Sequence, residues 1–345
     1  MSGPQGPGVS RAVVVEAPGE HRLVEREIPE PGPGEVRVRV AAAGICMSDR
    51  EVYDGHRAPG YVRYPVTPGH EWAGTVEAVG AGVDPALMGR GCVAEGFRAC
   101  GTCERCRCGE TSLCTAGYAE TGFTEPGAFA DHLVVPARLL HLLPPEADLR
   151  AAALIEPAAA IAAAVRVGRP RPGERVAVVG AGTLGLLAVQ LLAASSPAEL
   201  VVVDPRAARG KQALRHGASE ALSPEEAEAG SAGRFDLVVE TAGAPSTAAS
   251  SCLLARRGGR AILTGMFAAG ATGIDPVHLS VSQLEIRSVF GAPSAAWADA
   301  VRAFGLGLLD PAPLISHEFP LERFAEAVAL VGGGDAKTGK VLLRP

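Results

Sequence analysis

The sequence predicts an α/β protein that combines a β-rich domain with a doubly wound parallel sheet. Short segments in the first third of the chain alternate apolar and polar residues at period two, which is typical of half-buried strands. From about residue 150 onward, short apolar segments alternate with segments of helical composition, as in a parallel sheet flanked by helices. With 345 residues, the chain is long for one hydrophobic core and sufficient for two.

The β-rich part is predicted from three strands and the turns between them. Residues 11–16 alternate weakly, residues 35–42 (EVRVRVAA) alternate clearly, and residues 75–79 form a third strand that ends at Gly80-Ala81-Gly82. Residues 1–11 contain no apolar segment, so we expect a short disordered tail and no secretory signal there.

The doubly wound part begins with a helix over residues 149–167, which we expect to break at Pro157. The elements that follow are strand 175–179, helix 183–194, strand 200–203, helix 206–216, strand 235–239, helix 246–256 and strands 260–263 and 285–290. The tail adds helices 295–304 and 321–330 and a strand over 340–343. We therefore expect residues 1–152 and 292–345 to form one discontinuous domain, with the doubly wound domain, 153–291, inserted in it.

Composition and charge exclude several classes of protein. Hydrophobic residues make up 47% of the chain and charged residues 20%, an ordinary globular balance. The formal net charge is −6 and no basic stripe is present, so we expect no nucleic-acid partner. No segment approaches the roughly 20 apolar residues of a membrane span, so we expect no membrane partner and a cytoplasmic location.

A candidate dinucleotide-binding motif follows the first strand of the doubly wound part. The run GAGTLG, residues 180–185, is a G-x-G-x-x-G between a strand and a helix. We expect Gly180 to make the tight turn, Gly182 to let the backbone approach a pyrophosphate, and Gly185 to let the helix lie close to the strand. Thr183 and Leu184 begin the helix, whose free N–H groups would face the phosphates. The motif in this position predicts a Rossmann domain.

An acidic residue ends the next predicted strand and bears on the choice of cofactor. Asp204 lies roughly 20 residues after the glycines, where an acid is expected to accept hydrogen bonds from the adenosine ribose hydroxyls. Because a carboxylate there repels a 2′-phosphate, the sequence favours NAD over NADP. Arg206 and Arg209 lie close by and could weaken that preference. The alternative interpretation is a structural glycine turn in another kind of α/β protein.

Half of the eight cysteines lie close together in the sequence. The four are Cys100, Cys103, Cys106 and Cys114. Soft thiolates at this spacing favour tetrahedral zinc, and four protein ligands with no open position make a structural site. Arg98, Arg105 and Arg107 would offset the charge of the thiolates, and Cys108 is a spare thiol. The alternative is a set of free or oxidised thiols.

Two further motifs complete a family resemblance. The run GICMSD, residues 44–49, follows one predicted strand, and residues 69–83 read GHEWAGTVEAVGAGV. With the cysteine cluster and the glycine motif in the same order, the chain resembles the zinc-dependent medium-chain dehydrogenases, the superfamily of alcohol, sorbitol and threonine dehydrogenases. The resemblance spans nearly the whole chain. It implies a GroES-like catalytic domain beside the Rossmann domain, two zinc ions per chain, and NAD.

The resemblance also implies roles for individual residues. Cys46 and His70 would bind the catalytic zinc. Glu71 would be a ligand in some states or a carboxylate close to the metal. Glu156 matches the glutamate of polyol-type members and would bind zinc directly or through water. Asp49 resembles the acid that orients the histidine ligand.

The proton relay departs from the family pattern. Ser48 resembles the hydroxyl that takes the substrate proton. Many members have a histidine at the outer end of the relay, where this chain has Glu51. Either Glu51 or His56 could complete the relay, or Glu51 is a solvated loop acid. Met47 replaces the glycine that often follows the ligand cysteine.

The segment over residues 50–64 suggests the kind of substrate. It carries arginines, a histidine, acids and three tyrosines, and we expect it to form a polar wall at the substrate mouth. Together with Glu156, this favours a secondary alcohol on a polyol, cyclitol or sugar-like molecule, oxidised to a ketone. Alternatives are oxidation of an amino alcohol as in threonine 3-dehydrogenase, or a non-catalytic NAD-binding zinc protein. The segment could equally be a hinge surface or an oligomer contact. The resemblance implies a homodimer or homotetramer.

Overall fold

The computed structural model describes residues 8–267, 270–333 and 337–345, and the chain groups into two compact units. The first unit contains the described residues up to Glu156 and those within Pro293–Val301 and Pro311–Pro345. The second contains those within Pro157–Ala292 and Arg302–Asp310. Residues 153–156, 292 and 302–310 therefore group differently from the domain bounds expected from the sequence.

The elements are numbered in chain order. The strands are β1 (Val9–Ala17), β2 (Glu20–Glu27), β3 (Glu35–Ile45), β4 (Glu71–Val79), β5 (Gly91–Ala94), β6 (His132–Pro136), β7 (Leu140–Leu142), β8 (Arg175–Val179), β9 (Glu199–Val203), β10 (Glu220–Leu222), β11 (Phe235–Glu240), β12 (Ala255–Leu263), β13 (Glu285–Ser288), β14 (Ile315–Pro320) and β15 (Lys340–Arg344). The helices are α1 (Met47–Asp54), α2 (Glu104–Arg107), α3 (Leu149–Ala152), α4 (Ile155–Gly168), α5 (Thr183–Ala193), α6 (Ala207–Arg215), α7 (Pro224–Gly230), α8 (Thr247–Leu254), α9 (Pro276–Ser282), α10 (Ser294–Gly305) and α11 (Phe324–Leu330).

The first unit is built on two sheets, in which every named strand pairing is antiparallel except that of β14 with β15, which is parallel. β1 and β2 form a two-stranded sheet, and a larger sheet has the strand order β14-β15-β3-β4-β5-β7. β6 pairs with the first residues of β3, and β15 pairs with its last residues. Along β3, Val36, Val38 and Val40 are buried in the core, while Arg39 is exposed. This is the burial pattern that period-two alternation predicts.

The second unit is a parallel sheet of six strands in the order β10-β9-β8-β11-β12-β13. This is the order of a doubly wound dinucleotide-binding fold, in which the direction of winding reverses between the two central strands. Those strands are β8 and β11, and ligands of such sheets bind beyond their carboxyl ends. The predicted α/β class with a β-rich and a doubly wound part is confirmed.

The first two predicted boundaries that the structure corrects concern the tail and Pro157. Val9 and Ser10 belong to β1, so they are not part of a disordered tail, and residues 1–7 lie outside the described residues. The helical break falls at residues 153 and 154 rather than at Pro157. Pro157 lies in the first turn of α4, where a missing backbone N–H removes no helical hydrogen bond.

The other corrections concern strands. α8 ends at Leu254 and β12 begins at Ala255, so residues 255 and 256 are strand and not helix. Ala255 pairs with Phe235 while Arg260 pairs with Leu237, so the residues between them bulge out of the pairing and hid the start of the strand. β13 ends at Ser288, two residues before the predicted end. Among the described residues, no helix has both the length and the apolar character needed to cross a membrane.

Candidate metal centre and dinucleotide site

Three predicted metal ligands meet where β3 and β4 pair. Cys46 follows the end of β3, and His70 and Glu71 stand at the start of β4, which runs antiparallel to β3. One donor atom from each of these side chains lies within 4.8 Å of the others. A thiolate, an imidazole and a carboxylate so close together form a donor set that zinc accepts, with ligand bonds of about 2.0–2.3 Å.

Asp49 fixes both segments that carry these ligands. It is fully buried, and its carboxylate accepts the backbone N–H of Cys46 at 2.8 Å and that of Gly69 at 3.2 Å. Its Oδ1 also lies 3.3 Å from His70 Nδ1. Because Nδ1 faces Asp49, the other ring nitrogen, Nε2, remains for a metal ion. The neighbouring Ser48 Oγ lies 3.6 Å from Cys46 Sγ.

A buried lysine that we did not predict contacts Glu71. Lys340, the first residue of β15, places its Nζ against Glu71 Oε2. Burial alone would lower the pKa of Lys340, but the nearby charges of Glu71 and Cys46 outweigh burial and raise it. Gly44 makes room for the pair, since a Cβ at that position would lie 2.4 Å from Glu71 Oε2 and 2.8 Å from Lys340 Cε. One charge in the otherwise apolar run KVLL is the sequence signal for this contact.

The electrostatics around the cluster favour a cation. Burial opposes protonation of His70, but Asp49 and Cys46 outweigh it and raise the pKa of His70 well above its usual value. Glu156 stands in the first turn of α4. Burial, opposed by His70 and reinforced by Glu71 and Glu120, raises the pKa of Glu156 to about 8. The carboxylates of Glu71, Glu120 and Glu156 repel one another, and a divalent ion would relieve that repulsion. Glu156 is not among the three donors that lie within 4.8 Å of one another in the described residues.

In the described part of the chain, neither of the two predicted relay residues, Glu51 and His56, forms a hydrogen bond with Ser48. Glu51 Oε2 instead faces Arg57 Nη1 at 3.8 Å, and its side chain is 42% exposed. His56 is exposed. The segment over residues 50–64 is partly helical, since residues up to Asp54 belong to α1.

Arg57 belongs to a polar cluster that we did not predict. Its Nη2 donates a hydrogen bond to Tyr118 Oη at 2.9 Å and lies 3.8 Å from Glu120 Oε2, and Tyr118 Oη in turn donates to Glu120 Oε2. Arg57 Cζ also lies 3.7 Å from the centroid of the Phe123 ring, and that centroid is 4.7 Å from the centroid of the His70 ring. Burial raises the pKa of Glu120, although the positive charge of His70 acts in the opposite direction. We call Arg57, Tyr118 and Glu120 the polar triad.

The four-cysteine cluster has the geometry of a tetrahedral site. All four thiols lie within 4.8 Å of one another. Cys100 Sγ is 3.9 Å from Cys106 Sγ, and Cys103 Sγ is 4.0 Å from Cys114 Sγ. Four sulfurs bound at about 2.3 Å to one zinc ion would lie about 3.8 Å apart, so the observed spacing fits zinc. Every cysteine of the chain is a free thiol.

Hydrogen bonds prepare this cluster for a metal. The hydroxyl and the backbone N–H of Thr102 and the N–H of Cys103 bond to Cys100 Sγ and lower the pKa of that thiol to about 5. Cys108 is exposed and lies outside the cluster, as a spare thiol would. Arg105 does not serve the thiolates as expected, because its Nη1 pairs with Glu110 at 2.7 Å. Arg98 Nε donates to Thr121 Oγ1, and Arg98 Nη1 faces Glu125 at 3.8 Å.

The glycine motif has the backbone that a dinucleotide site requires. Gly180 has φ +101°, which favours glycine, and its N–H bonds to Val203 O. A Cβ at Gly185 would lie 1.9 Å from Gly180 O, so only glycine lets α5 begin this close to β8. Gly182, by contrast, has no atom within 4 Å of where a Cβ would stand, so its face is open. Thr183 and Leu184 form the first residues of α5.

Asp204 is nearly buried at the carboxyl end of β9 and is tied to the glycine turn. One carboxylate oxygen accepts the N–H of Ala181 at 2.7 Å, and the guanidinium of Arg206 binds both oxygens at 2.9 Å. Burial alone would raise the pKa of Asp204, but these hydrogen bonds outweigh it and lower the pKa. Arg209 is the other arginine that could weaken the preference for NAD. It is buried in α6, and its Nη1 donates a hydrogen bond to Gln212.

A second buried acid organises the loops beyond β11 and β12. Glu240 is fully buried, and its Oε1 accepts the N–H groups of Ala242 and Gly243 at 2.8 Å and the hydroxyl of Thr247 at 2.7 Å. Its other oxygen accepts the N–H of Gly265 at 3.2 Å. Both loops leave the carboxyl edge of the sheet beside the glycine turn, which is the edge at which ligands of this fold bind.

Comparison with known proteins gives the family. Residues 32–145 match the alcohol dehydrogenase GroES-like domain, and residues 183–305 match the zinc-binding dehydrogenase domain. The L-threonine 3-dehydrogenase of Bacillus subtilis is 32% identical over 94% of this chain and 94% of that protein. Human sorbitol dehydrogenase is 30% identical over 92% of this chain and 91% of that protein.

Solved structures agree with these relatives. An alcohol dehydrogenase of Escherichia coli CFT073, in complex with NADH, has a TM-score of 0.89 at 32% identity and covers 98% of this chain and 99% of its own. A zinc-binding dehydrogenase of Sinorhizobium meliloti 1021, bound to NADP, has a TM-score of 0.90 at 28% identity and covers 98% of this chain and 100% of its own. The chain therefore belongs to the zinc-dependent medium-chain dehydrogenase superfamily, with a GroES-like part and a Rossmann-type part, as its motifs predicted.

Proposed function

We propose that this protein is a zinc-dependent, NAD-linked dehydrogenase that oxidises a secondary alcohol of a polyol, cyclitol or sugar-like molecule to a ketone. One observation carries the proposal: a donor atom from each of Cys46, His70 and Glu71 lies within 4.8 Å of the others. Asp49 fixes the two segments that carry these ligands, because it accepts the backbone N–H groups of Cys46 and Gly69. Catalytic zinc sites of this kind have three protein ligands and one open position. The second cluster, of four thiols, would hold a structural zinc ion.

The residues supply distinct parts of the chemistry. When bound, zinc would make the substrate hydroxyl more acidic, and NAD would accept the hydride. Ser48 stands beside Cys46 Sγ and would take the substrate proton. Glu156 would bind the metal directly or through water. That either Glu51 or His56 forms the outer end of the proton relay stays a prediction.

The position of Asp204 supports NAD over NADP as the cofactor. Its carboxylate ends β9, where the 2′-hydroxyl of the adenosine ribose would lie, and its negative charge repels a 2′-phosphate. Arg206, which Asp204 binds, would be released towards a phosphate if the acid were removed. We expect Asp204→Ser to raise kcat/KM with NADP relative to NAD by at least about tenfold. The control is Asp236→Asn, at the amino end of β11 in the same sheet. It should leave the ratio of kcat/KM with NADP to that with NAD unchanged.

A second candidate is oxidation of an amino alcohol, because the chain is 32% identical to an L-threonine 3-dehydrogenase. A zwitterionic substrate needs both a cation and an anion facing it. Arg57 is a weak candidate for the cation, because Glu51 and Glu120 each lie 3.8 Å from its guanidinium. A non-catalytic NAD-binding zinc protein is the third candidate. The donor set of Cys46, His70 and Glu71 weighs against it, because binding alone needs no open metal position.

We also propose a homodimer or homotetramer in the cytoplasm, assembled through the nucleotide-binding unit. Large apolar side chains are exposed on that unit, among them Val277 and Val281 on α9. α9 precedes β13, which is the last strand of its sheet among the described residues, and the outer edge of β13 could pair with a second copy. Light scattering on the purified protein tests this prediction.

The decisive experiment follows NADH absorbance with zinc-loaded protein, NAD, and a panel of polyols, cyclitols, threonine and simple secondary alcohols. We expect turnover on at least one polyol or cyclitol and its loss in Cys46→Ala, with Cys108→Ala as a control that keeps activity. A strong preference for butanol over every polyol would contradict the proposed substrate class. If the protein binds only one zinc ion per chain and oxidises no alcohol of the panel, that result would favour the non-catalytic candidate.

A further inference from the structure

The carboxylate of Glu240 fastens two loops of the second unit to each other. The side chain is fully buried at the end of β11. Its Oε1 accepts three donors from the segment after β11, namely the N–H groups of Ala242 and Gly243 and the hydroxyl of Thr247. Its Oε2 accepts the N–H of Gly265, in the loop after β12, at 3.2 Å. Each oxygen of the carboxylate therefore holds one loop.

The strands themselves do not need this acid. β11 and β12 already pair along their length, up to Glu240 and Leu263. Beyond that point the two loops pack backbone against backbone, since a Cβ at Gly265 would lie 2.5 Å from Glu240 Oε2 and one at Gly243 would lie 2.7 Å from Met266 O. Burying a carboxylate is costly unless its oxygens are hydrogen-bonded. The acid therefore serves to fix the loops and not to join the strands.

These loops continue a row of contacts that begins at Asp204. Asp204, at the end of β9, accepts the N–H of Ala181 in the glycine turn at 2.7 Å. A Cβ at Gly180 would lie 2.9 Å from Ala242 Cβ, so the glycine turn borders the loop after β11. That loop borders the loop after β12 through Glu240. The row follows the strand order β9, β8, β11, β12.

The row indicates which part of a dinucleotide meets the loop after β12. Adenosine is expected at Asp204 and the pyrophosphate at Gly182, since folds of this kind bind a dinucleotide across the carboxyl edge, one half on each side of the central turn. The remaining half then extends past β11. Neighbouring strands are about 4.8 Å apart, so the ends of β9 and β12 are separated by about 14 Å, a length suited to an extended dinucleotide.

We propose that Glu240 is a positioning residue for the nicotinamide half of the cofactor, because its carboxylate fixes the two loops that this half meets. The inference rests on the NAD part of the proposed function. Since Glu240 is fully buried, it acts through the loops and does not touch the cofactor. Its effect should therefore be confined to the nicotinamide half, while Asp204 and the glycine turn continue to bind the rest.

The test is the variant Glu240→Gln, which should release one loop only. The amide oxygen can stay with the three donors at Oε1, and the amide NH2 then faces the N–H of Gly265, so two donors oppose each other. Calorimetric titration of the full-length, zinc-loaded protein compares NADH with ADP, which lacks the nicotinamide riboside. We expect the affinity for NADH to fall about tenfold and that for ADP to stay within about twofold.

Hydrogen exchange gives a second readout, which does not depend on activity. In Glu240→Gln the amides of Thr264 and Gly265 should exchange faster than in the wild type, and NADH should protect them less. If Glu240→Gln does not fold, Thr264→Val serves instead, because the Thr264 hydroxyl donates to Glu240 O at 2.7 Å and links the same two loops. This variant should lower the affinity for NADH about threefold, again without an equal effect on ADP.

The matched control is Asp236→Asn, at the other end of β11. Asp236 also accepts a backbone N–H, that of Arg175 at 2.8 Å, so the change removes the same kind of charge from the same strand. It should leave the ratio of the two affinities unchanged. Equal losses for NADH and ADP in Glu240→Gln, or wild-type affinity for NADH despite faster exchange at Gly265, would overturn the inference. If the wild type binds neither compound, the assignment of NAD fails and the inference falls with it.

Discussion

The carboxylate of Asp49 lies 3.3 Å from Nδ1 of His70 and also accepts the N–H of Cys46, so one buried acid positions two metal ligands. We expect Asp49→Asn to weaken binding of the zinc ion at Cys46 by roughly 10- to 100-fold, because an amide orients the imidazole less well and is a weaker acceptor. Competition with a chelator, followed by metal analysis, measures the change. Asp54→Asn, on the same helix but paired with Arg50, is the control. Equal zinc affinity in both variants would contradict the prediction.

The four-thiol cluster should hold zinc independently of that site. Cys103→Ser removes one donor, so we expect loss of one zinc ion per chain and a lower melting temperature of the first unit, since the metal stabilises the folded state that binds it. Both tryptophans, Trp72 and Trp297, lie in the first unit and report its unfolding by fluorescence. Cys108→Ser is the matched control and should keep both zinc ions. Equal zinc loss from the two variants would mean that the cluster uses a different set of thiols.

Two glycines of the dinucleotide motif should respond in opposite ways to the same change. Gly185→Ala places a Cβ 1.9 Å from Gly180 O, so we expect a clear loss of stability. Gly182→Ala meets no protein atom within 4 Å, so the fold should be kept. The added methyl group would nevertheless occupy the face that a pyrophosphate approaches, and NADH affinity should fall at least about tenfold. Fluorescence titration with NADH and thermal melting measure the two effects. Wild-type NADH affinity in Gly182→Ala would show that the cofactor lies elsewhere.

The pair of Arg11 and Asp131 should make stability depend on pH. Asp131 accepts the backbone N–H of Arg11 at 2.7 Å and two guanidinium hydrogen bonds at 2.8 and 3.1 Å. Burial would raise the pKa of Asp131, but these bonds outweigh it and lower the pKa. The stabilisation is therefore complete above the unfolded pKa of about 3.9 and is lost as the pH falls through the lower folded value.

For this pair we expect Asp131→Asn to lower the free energy of unfolding by about 1 kcal/mol at neutral pH, allowing for solvent screening. The difference from the wild type should shrink as the pH falls below about 4. Urea unfolding followed by tryptophan fluorescence measures it. Glu322→Gln removes the exposed partner of the same arginine and should have a smaller effect. A difference that does not change with pH would rule out the ionised pair as its source.

The predictable parts of the fold were those with strong local signals. The alternation in β3, the apolar run of β8 and the glycine motif each follow from a few consecutive residues. β2 was missed because its sequence, EHRLVERE, is mostly exposed and lacks an apolar face. The start of β12 was misplaced because a bulge interrupts its pairing with β11. In both cases the pairing with a neighbouring strand decides where the strand lies, and a local sequence pattern does not show that pairing.

The residues of the candidate site likewise fall into those that a local motif predicted and those that only the folded chain brings together. Ligands in short motifs, such as Cys46 and His70, were found because resemblance to a family marks them. The polar triad was missed because about 60 residues separate Arg57 from Tyr118 in the sequence, and no pattern joins them. Lys340 stands about 270 residues from Glu71, and only the pairing of β15 with β3 brings it near.

Gly44 has no side chain of its own, and its backbone pairs β3 with β4 and with β15. Its missing side chain is nevertheless the space in which Glu71 and Lys340 meet inside the sheet. Every substitution at this position adds atoms, so none is neutral for the charge pair. In a library of random variants selected for activity, position 44 should therefore be as depleted of changes as the metal ligands themselves. The tolerance of this enzyme to mutation is set in part by an empty volume.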